Sequence, residues 1–350
     1  MEIVSRCEIG PDKWNEFVNE SMDAWLWHHY DIMDALSTWR YTADASIGII
    51  DKQGSSSLLA ILPMTNKLNY TFHSPGGVAF SNKLGQKLKR EIWKVLVRYL
   101  EGLFLKHSVC SFNIHLPPLT PNFWSDKGYP LVNPLLFYGF KNDLTQTMII
   151  NLNQSSEQIF NTYTKGTKYE LNRIEKSDIS LVDANGIPNA LEKYYELHVS
   201  TYRRNGQRPH PYKYFECIFN NVLRKGLCRI IFLEKNGRFF AVNNTALYKK
   251  TAFYWTGASI NEKELGENRI LLHNQIMHAK SKGFSTYEVG EVFPDVKNGK
   301  LRGLSVFKKS FGGEMYPYYK GSYVIPQNVT RRSKKIILAI FNSGKKFIYS

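Results

Sequence analysis

The chain has 350 residues, 43% of them hydrophobic, with 46 Lys and Arg against 30 Asp and Glu and a formal net charge of +16. That length suits two domains, or one large α/β domain, and the composition excludes a disordered or collagenous chain. No run of eighteen apolar residues predicts a membrane span, and Glu2 and Glu8 stand where a secretory leader would be basic, so the expected location is the cytoplasm.

In chain order, Asp12 is expected to cap a short helix whose apolar face is Trp14, Phe17 and Val18. Residues 58–64 read as a buried strand ended by Pro63, and residues 84–107 as a long amphipathic helix. Strands follow at 111–116 and 147–152. The second half opens with a helix over 156–176 and a strand over 179–182. Helices at 190–199 and 212–225 flank an arginine-rich turn. Three strands come next, at 228–234, 238–248 and 251–258, with Asn236-Gly237 as a hairpin signal between the first two. A helix over 267–282, a strand over 286–290 and a last aromatic strand over 315–324 complete the pattern. Alternating helices and strands in this order predict mixed α/β layers.

Cys7, Cys110, Cys217 and Cys228 are far apart, with no C-x-x-C pair, which argues against a disulfide framework and a cysteine-built zinc site. The nine histidines fall in no metal-ligand spacing, so no metal is expected. The adjacent His28 and His29 are read as packing or surface residues.

Charge is unevenly placed. Residues 1–150 hold 14 Lys and Arg and 14 Asp and Glu, so the excess belongs to residues 151–350, and residues 331–350 carry six basic residues and no acidic one. A neutral half joined to a basic half points to a polyanionic partner, or else to a merely soluble basic surface. The tail from Arg331 sets a short apolar run between basic clusters. It is too short to span a bilayer, and either lies on an anionic membrane surface or packs as a terminal helix.

Three stretches resemble the Fem-type peptidyl- and aminoacyltransferases of the GNAT acyltransferase superfamily. They are Lys168 to Ile179, Leu265 to Glu288, and above all Gly303-Leu-Ser-Val-Phe307-Lys308-Lys309-Ser-Phe311-Gly312-Gly313, which matches a G-x-x-x-F-K-x-x-F-G motif. The resemblance departs at Lys168 and Asn172, where the family has arginines, and at Asp178, where it has glycine. It implies an α/β (α+β) chain of two tandem GNAT-like domains, each a mixed, mostly antiparallel sheet flanked by helices. The expected divisions are 1–150, 151–327 and a basic tail at 328–350.

The resemblance also assigns Lys308 to the acyl-transfer site, with Phe307 shaping its pocket. Amine attack on an ester or thioester makes an oxyanion, which fixed positive charge stabilises; the plain alternative is a surface lysine beside Lys309. Glu288, Glu291 and Asp295 are candidate bases or solvated loop carboxylates. Glu288 and Glu291 are expected on opposite faces of a strand.

Arg203, Arg204 and Arg208, around a tight turn, are candidate phosphate ligands or solvated turn residues, and Lys168 and Arg173 are weaker candidates for the donor. The loop 263–268 has one glycine, and Glu267 would repel a pyrophosphate at a helix N-terminus, which weakens a CoA donor. Aminoacyl-tRNA is therefore the first-choice donor and acyl-CoA the second, with no bound cofactor. The expected acceptor is an amine of a lipid-linked or nucleotide-linked precursor of the cell envelope or a surface polysaccharide. The alternatives are an acyl-CoA-dependent sugar N-acyltransferase and a noncatalytic tRNA- or polyanion-binding module.

Overall fold

The computed structural model describes residues 1–52, 57–67, 71–107, 111–125, 128–143, 145–175, 178–260 and 266–324. The basic tail, residues 263–265 of the 263–268 loop, Cys110 and Lys176 lie outside them.

The first half begins with β1 (Glu2–Ser5) and α1 (Arg6–Ile9), whose start is closed by reciprocal bonds between Ser5 and Glu8. α2 (Pro11–Glu20) has Pro11 at its first position, where a missing N–H costs nothing. Gly10 occupies the cap, so Asp12 is a first-turn acid favourable to the helix dipole rather than the expected cap. Then come α3 (Tyr30–Ser37), β2 (Thr42–Asp44), β3 (Ile47–Ile50) and β4 (Leu58–Leu62). They are followed by β5 (Thr65–Lys67), β6 (Thr71–Ser74), β7 (Ala79–Phe80), α4 (Gln86–His107), β8 (Ser111–His115) and β9 (Lys141–Asn142).

The second half runs β10 (Thr145–Asn151), α5 (Ser156–Thr162), α6 (Lys165–Glu175), β11 (Ser180–Asp183), α7 (Ala190–Arg204) and α8 (Tyr212–Cys217). β12 (Cys228–Lys235), β13 (Arg238–Tyr248) and β14 (Thr251–Ser259) follow, then α9 (Glu267–Ser281), β15 (Thr286–Val292), α10 (Gly299–Lys309), β16 (Glu314–Tyr318) and β17 (Lys320–Val324). The single helix expected over 156–176 is two, because the Thr164 N–H leaves the helix ladder to donate to the Ser310 carbonyl at 3.0 Å.

Two strands cross between the halves. β10 ends the first half in the sequence reading, yet it pairs between β15 and β16 in a seven-stranded sheet ordered β11-β12-β13-β14-β15-β10-β16. The last aromatic strand, expected as one, breaks at Tyr319. Its second part, β17, pairs between β8 and β9 in a six-stranded sheet ordered β2-β5-β6-β8-β17-β9. Tyr319 is buried, its carbonyl accepts from the Leu116 N–H at 2.9 Å, and its hydroxyl bonds the Pro130 carbonyl. A four-stranded sheet, β1-β3-β4-β7, completes the first half.

One apolar core is continuous across both halves: Trp14, Trp25 and Ile32 from α2, α3 and their link pack with Tyr194, Phe215 and Phe232. Polar contacts fix this packing. The Lys249 amine donates to the carbonyls of Val18, Ser21 and Ala24 at 2.6, 2.6 and 3.1 Å, and Trp25 Nε1 donates to Thr251 Oγ1 at 2.6 Å. His28 is fully buried against Gly76, where any Cβ would meet its ring, so it is a packing residue and burial holds it neutral, at about 3. Among the described residues no helix is long and apolar enough to cross a membrane.

Lys249→Met should strand three carbonyls at this seam and cost about 2–4 kcal/mol in guanidinium unfolding, whereas the exposed neighbour change Lys250→Met should cost little. Equal midpoints for the two variants would contradict the clamp.

Candidate active site

β14 and β15 run parallel, pairing only over Thr251–Phe253 with Thr286–Glu288, and then separate. Where they part, β15 carries a bulge: Glu288 lies opposite Ile149 and Gly290 opposite Met148, so Val289 is the extra residue. Gly290 has φ +98, a conformation suited to glycine. The inserted residue reverses the alternation beyond it and turns Glu291 to the side of Glu288. Thr147 of β10 shows the outcome. It sits directly opposite Glu291, while its hydroxyl donates to Glu288 Oε1 at 2.6 Å. The expectation that the two carboxylates face apart is therefore corrected by the bulge.

Lys308 comes to the same place from the last turn of α10. Its amine occupies the room left by Gly290, 2.8 Å from where a Cβ would stand, and donates to the Glu291 carbonyl at 2.9 Å. The Glu291 carboxylate is held by Lys320 of β17 at 2.7 Å. Glu288 is 3% and Lys308 8% exposed. Burial raises the Glu288 carboxyl to about 7, against the downward pull of Thr147 and Lys308. Burial lowers the Lys308 amine to about 8, against the upward pull of Glu288 and Glu291. A base and an acid with protonation near neutrality thus share one buried cluster and act on each other's charge.

Lys249 and Lys308 are both mostly buried, and the comparison separates structure from chemistry. Lys249 spends all three N–H bonds on carbonyls, whereas among the described residues Lys308 makes one hydrogen bond. Two N–H bonds of Lys308 remain to be directed at a bound molecule.

The remainder of the F-K-x-x-F-G stretch is built for close approach. Phe311 is fully buried, and a Cβ on Gly312 or Gly313 would lie 2.2 Å from Thr162 Oγ1 or 2.6 Å from the Ile149 carbonyl. Phe307, one residue before Lys308, faces another way, toward Tyr254 and Phe311. It lines a recess of about 410 Å³ with Tyr169, Arg173, Gly266 and Arg269 at the start of α9. Glu170 and Glu267 also line that recess, and Glu170 holds Arg269 at 2.5 Å.

On the other side, Tyr318 and Phe253 form part of a cleft of about 570 Å³ between the halves. His73 and His115 face it from β6 and β8, 3.5 Å apart, and burial lowers them to about 4 and 3. Lys320 lies opposite His115 in the β8–β17 pairing, so the imidazoles and the carboxylates share one lysine as neighbour. These histidines were missed in sequence because parallel strands β6 and β8 bring them together from 42 positions apart.

The arginine-rich turn lies elsewhere. Arg203, Arg204 and Arg208 are exposed, none lines the cleft or the recess, and Arg204 donates to the Ser259 carbonyl at 2.8 Å. Arg203 and Arg204 close the C-terminal end of α7, where cations complement the dipole. Lys168 is turned to the Asn161 carbonyl at 2.9 Å. Asp295 is exposed beyond β15. Of the residues singled out in the sequence, the structure brings together Lys308, Glu288 and Glu291, and places Phe307 and Arg173 at the recess.

Gly290→Ala puts a methyl group on the Lys308 amine at positive φ. The expected result is a loss of about 1–3 kcal/mol in urea unfolding, and an unchanged midpoint would show that the amine does not occupy that space.

Residues 163–303 match the family model described as Acetyltransferase (GNAT) domain. No curated protein matches the sequence. Among solved structures, FemX superposes with a TM-score of 0.66 at 16% identity, covering 95% of this chain and 99% of FemX. L-PGS from Bacillus licheniformis gives 0.58 at 13%, with 98% and 99% covered. The tandem GNAT protein from the clavulanic acid biosynthesis pathway gives 0.53 at 10%, with 92% and 98% covered. Residues 163–303 thus match a GNAT acetyltransferase domain, and the whole chain has the fold these structures share.

Proposed function

We propose that this GNAT-domain chain of FemX-like fold is an N-acyltransferase that makes an amide on an amino group of a cell-envelope or surface-polysaccharide precursor, with aminoacyl-tRNA as donor. The observation that carries the reading is the buried pair Glu288 and Lys308 where β14 and β15 separate, behind the Phe253 ring of the cleft wall. The amine enters from the cleft as an ammonium and gives a proton to Glu288. Its nitrogen then forms a bond to the ester carbonyl carbon, and the carbonyl electron pair moves onto oxygen, where the Lys308 ammonium donates. Collapse of that intermediate breaks the ester C–O bond. The leaving hydroxyl oxygen takes up the proton that Glu288 holds, and the nitrogen, which still carries one proton more than an amide, gives it to the freed Glu288 carboxylate, from which it passes to solvent. Thr147 holds Glu288, and the Glu291 carbonyl holds Lys308, so both groups are positioned before substrate arrives.

The choice of donor rests on the recess at the start of α9. A CoA pyrophosphate would meet Glu170 and Glu267 there, with Arg269 already engaged by Glu170. The second reading, an acyl-CoA donor and a sugar amine, draws on the match of residues 163–303 to an acetyltransferase domain. Titration with acetyl-CoA and with charged and uncharged tRNA at fixed salt separates the two. Preference for charged over uncharged tRNA supports aminoacyl transfer, since a purely electrostatic binder holds both equally. Saturable, salt-resistant CoA binding supports the second reading.

Lys308→Ala should lower kcat by about 10²–10³ while donor affinity stays within about twofold, the size expected for one lost oxyanion donor. Unchanged turnover would remove Lys308 from the chemistry. Activity should rise with pH as Glu288 loses its proton near about 7 and fall as Lys308 loses its proton near about 8. Glu288→Gln should abolish the rise along with most of the rate; a full rate with the rise intact would exclude Glu288 as the base.

A further inference from the structure

The cleft wall differs in kind from the polar cluster behind it. Trp27, Phe253 and Trp255 form an edge-to-face group, with the Phe253 and Trp255 ring centroids 5.6 and 5.1 Å from that of Trp27. Trp39 stacks on His210 at 4.4 Å, with planes 13° apart. The tryptophans at 27 and 39 come from the first half and Trp255 from the second, so the faces are assembled only when the halves pack. Between them stand neutral hydrogen-bonding groups: the hydroxyls of Thr42, Thr65, Thr71 and Thr256, and the imidazoles of His73, His115 and His210. Burial holds all three imidazoles below their ordinary value and therefore uncharged at neutral pH.

Among the described residues, Lys67, exposed, is the one charged side chain in this lining. Trp39 Nε1 is buried and has no hydrogen-bond partner among the described residues. A donor left without an acceptor costs free energy unless a bound molecule or water supplies one.

Each feature restricts the occupant. A phosphate or carboxylate leaving water for this wall would meet no paired cation inside it, which is costly. A purely apolar chain would leave the Trp39 N–H unsatisfied, along with the bonding capacity that the threonines and imidazoles do not spend within the protein. A ring with C–H faces and an edge of hydroxyls matches both kinds of surface, the faces lying on the tryptophans and the hydroxyls bonding to threonine and imidazole. An ammonium on that ring is favoured over the Trp27, Phe253 and Trp255 rings. That end is also the reactive end, since the Phe253 ring lies 3.6 Å from the Cβ position of Gly290 beside the Lys308 amine.

We propose that the cleft binds the acceptor as an amino-sugar ring that bears no phosphate or carboxylate, held by Trp27, Trp39 and Trp255 with its amine at Phe253, and that any phosphate of the acceptor lies outside, beyond Lys67. The inference rests on the acyl-transfer reading for the fate of the amine, but not for binding.

The test is calorimetric titration of the full chain with methyl glucosaminide, its 6-phosphate, uridine and Nα-acetyl-lysine amide. The expected result is saturable binding of methyl glucosaminide, weakened about tenfold or more by Trp39→Ala and several-fold by Trp39→Phe, which keeps a ring but loses the N–H. Far-UV circular dichroism checks that both variants are folded. Tighter binding of uridine, of the lysine amide or of the 6-phosphate would overturn the proposal, as would equal affinity in folded Trp39→Ala. Lys308→Ala separates the two readings: intact glucosaminide binding with unchanged turnover would sink the acyl-transfer role of Lys308 and leave the sugar cleft standing. Lost turnover of another amine with no glucosaminide binding would do the reverse.

Discussion

The pairing of β10 between β15 and β16 is the constraint from which the site follows. It puts the Thr147 hydroxyl on Glu288, and it forces the bulge that gathers Glu288 and Glu291 on one face. The complementary crossing, β17 into the sheet of the first half, brings Lys320 to Glu291 and beside His115. A strand that lends itself to the other half's sheet satisfies its own backbone groups there, so separating the halves would break two ladders as well as an apolar core. The halves are therefore expected to hold the cleft at a fixed width.

Against this rigid frame the Glu288–Lys308 pair stands out as electrostatically expensive. Burial opposes both charges, and the net stability of such pairs is small or negative. What it yields instead is a carboxyl and an amine that exchange protons near neutral pH, the property acyl transfer to an amine requires. The Lys249 clamp shows the alternative use of a buried amine. Saturated by three carbonyls, it has nothing left to give a ligand.

The two sides of the site divide the work. Toward α9 lies a recess where Phe307 and Arg173 meet two carboxylates, and toward the first half lies a cleft of aromatic faces and neutral donors. Lys308 stands between them because α10 delivers it to the split between β14 and β15, where a missing Gly290 side chain leaves room. The motif around it is thereby placed residue by residue: Phe307 at the recess, Lys308 in the space beside Gly290, Phe311 in the core, and two glycines at close backbone passages.

Local pattern determined a good deal on its own. Alternation, helical spacing and turn residues gave the element order, with β13 at the expected residues, and the F-K-x-x-F-G stretch marked Lys308. Those features depend on near neighbours, which the sequence displays directly. It also named Glu288, but placed Glu291 on the wrong face, because a one-residue bulge reverses alternation and is set by which strand pairs alongside. The arginine-rich turn attracted notice by charge density, yet Arg203 and Arg204 close the end of α7 and its arginines line neither cavity, whereas Tyr202 and His210 at its ends line the cleft. Only the tertiary structure decided the strand exchange, the His73–His115 contact and the tryptophan cleft. Each joins residues far apart in the chain, and their proximity is fixed by sheet pairing and core packing rather than by any local propensity.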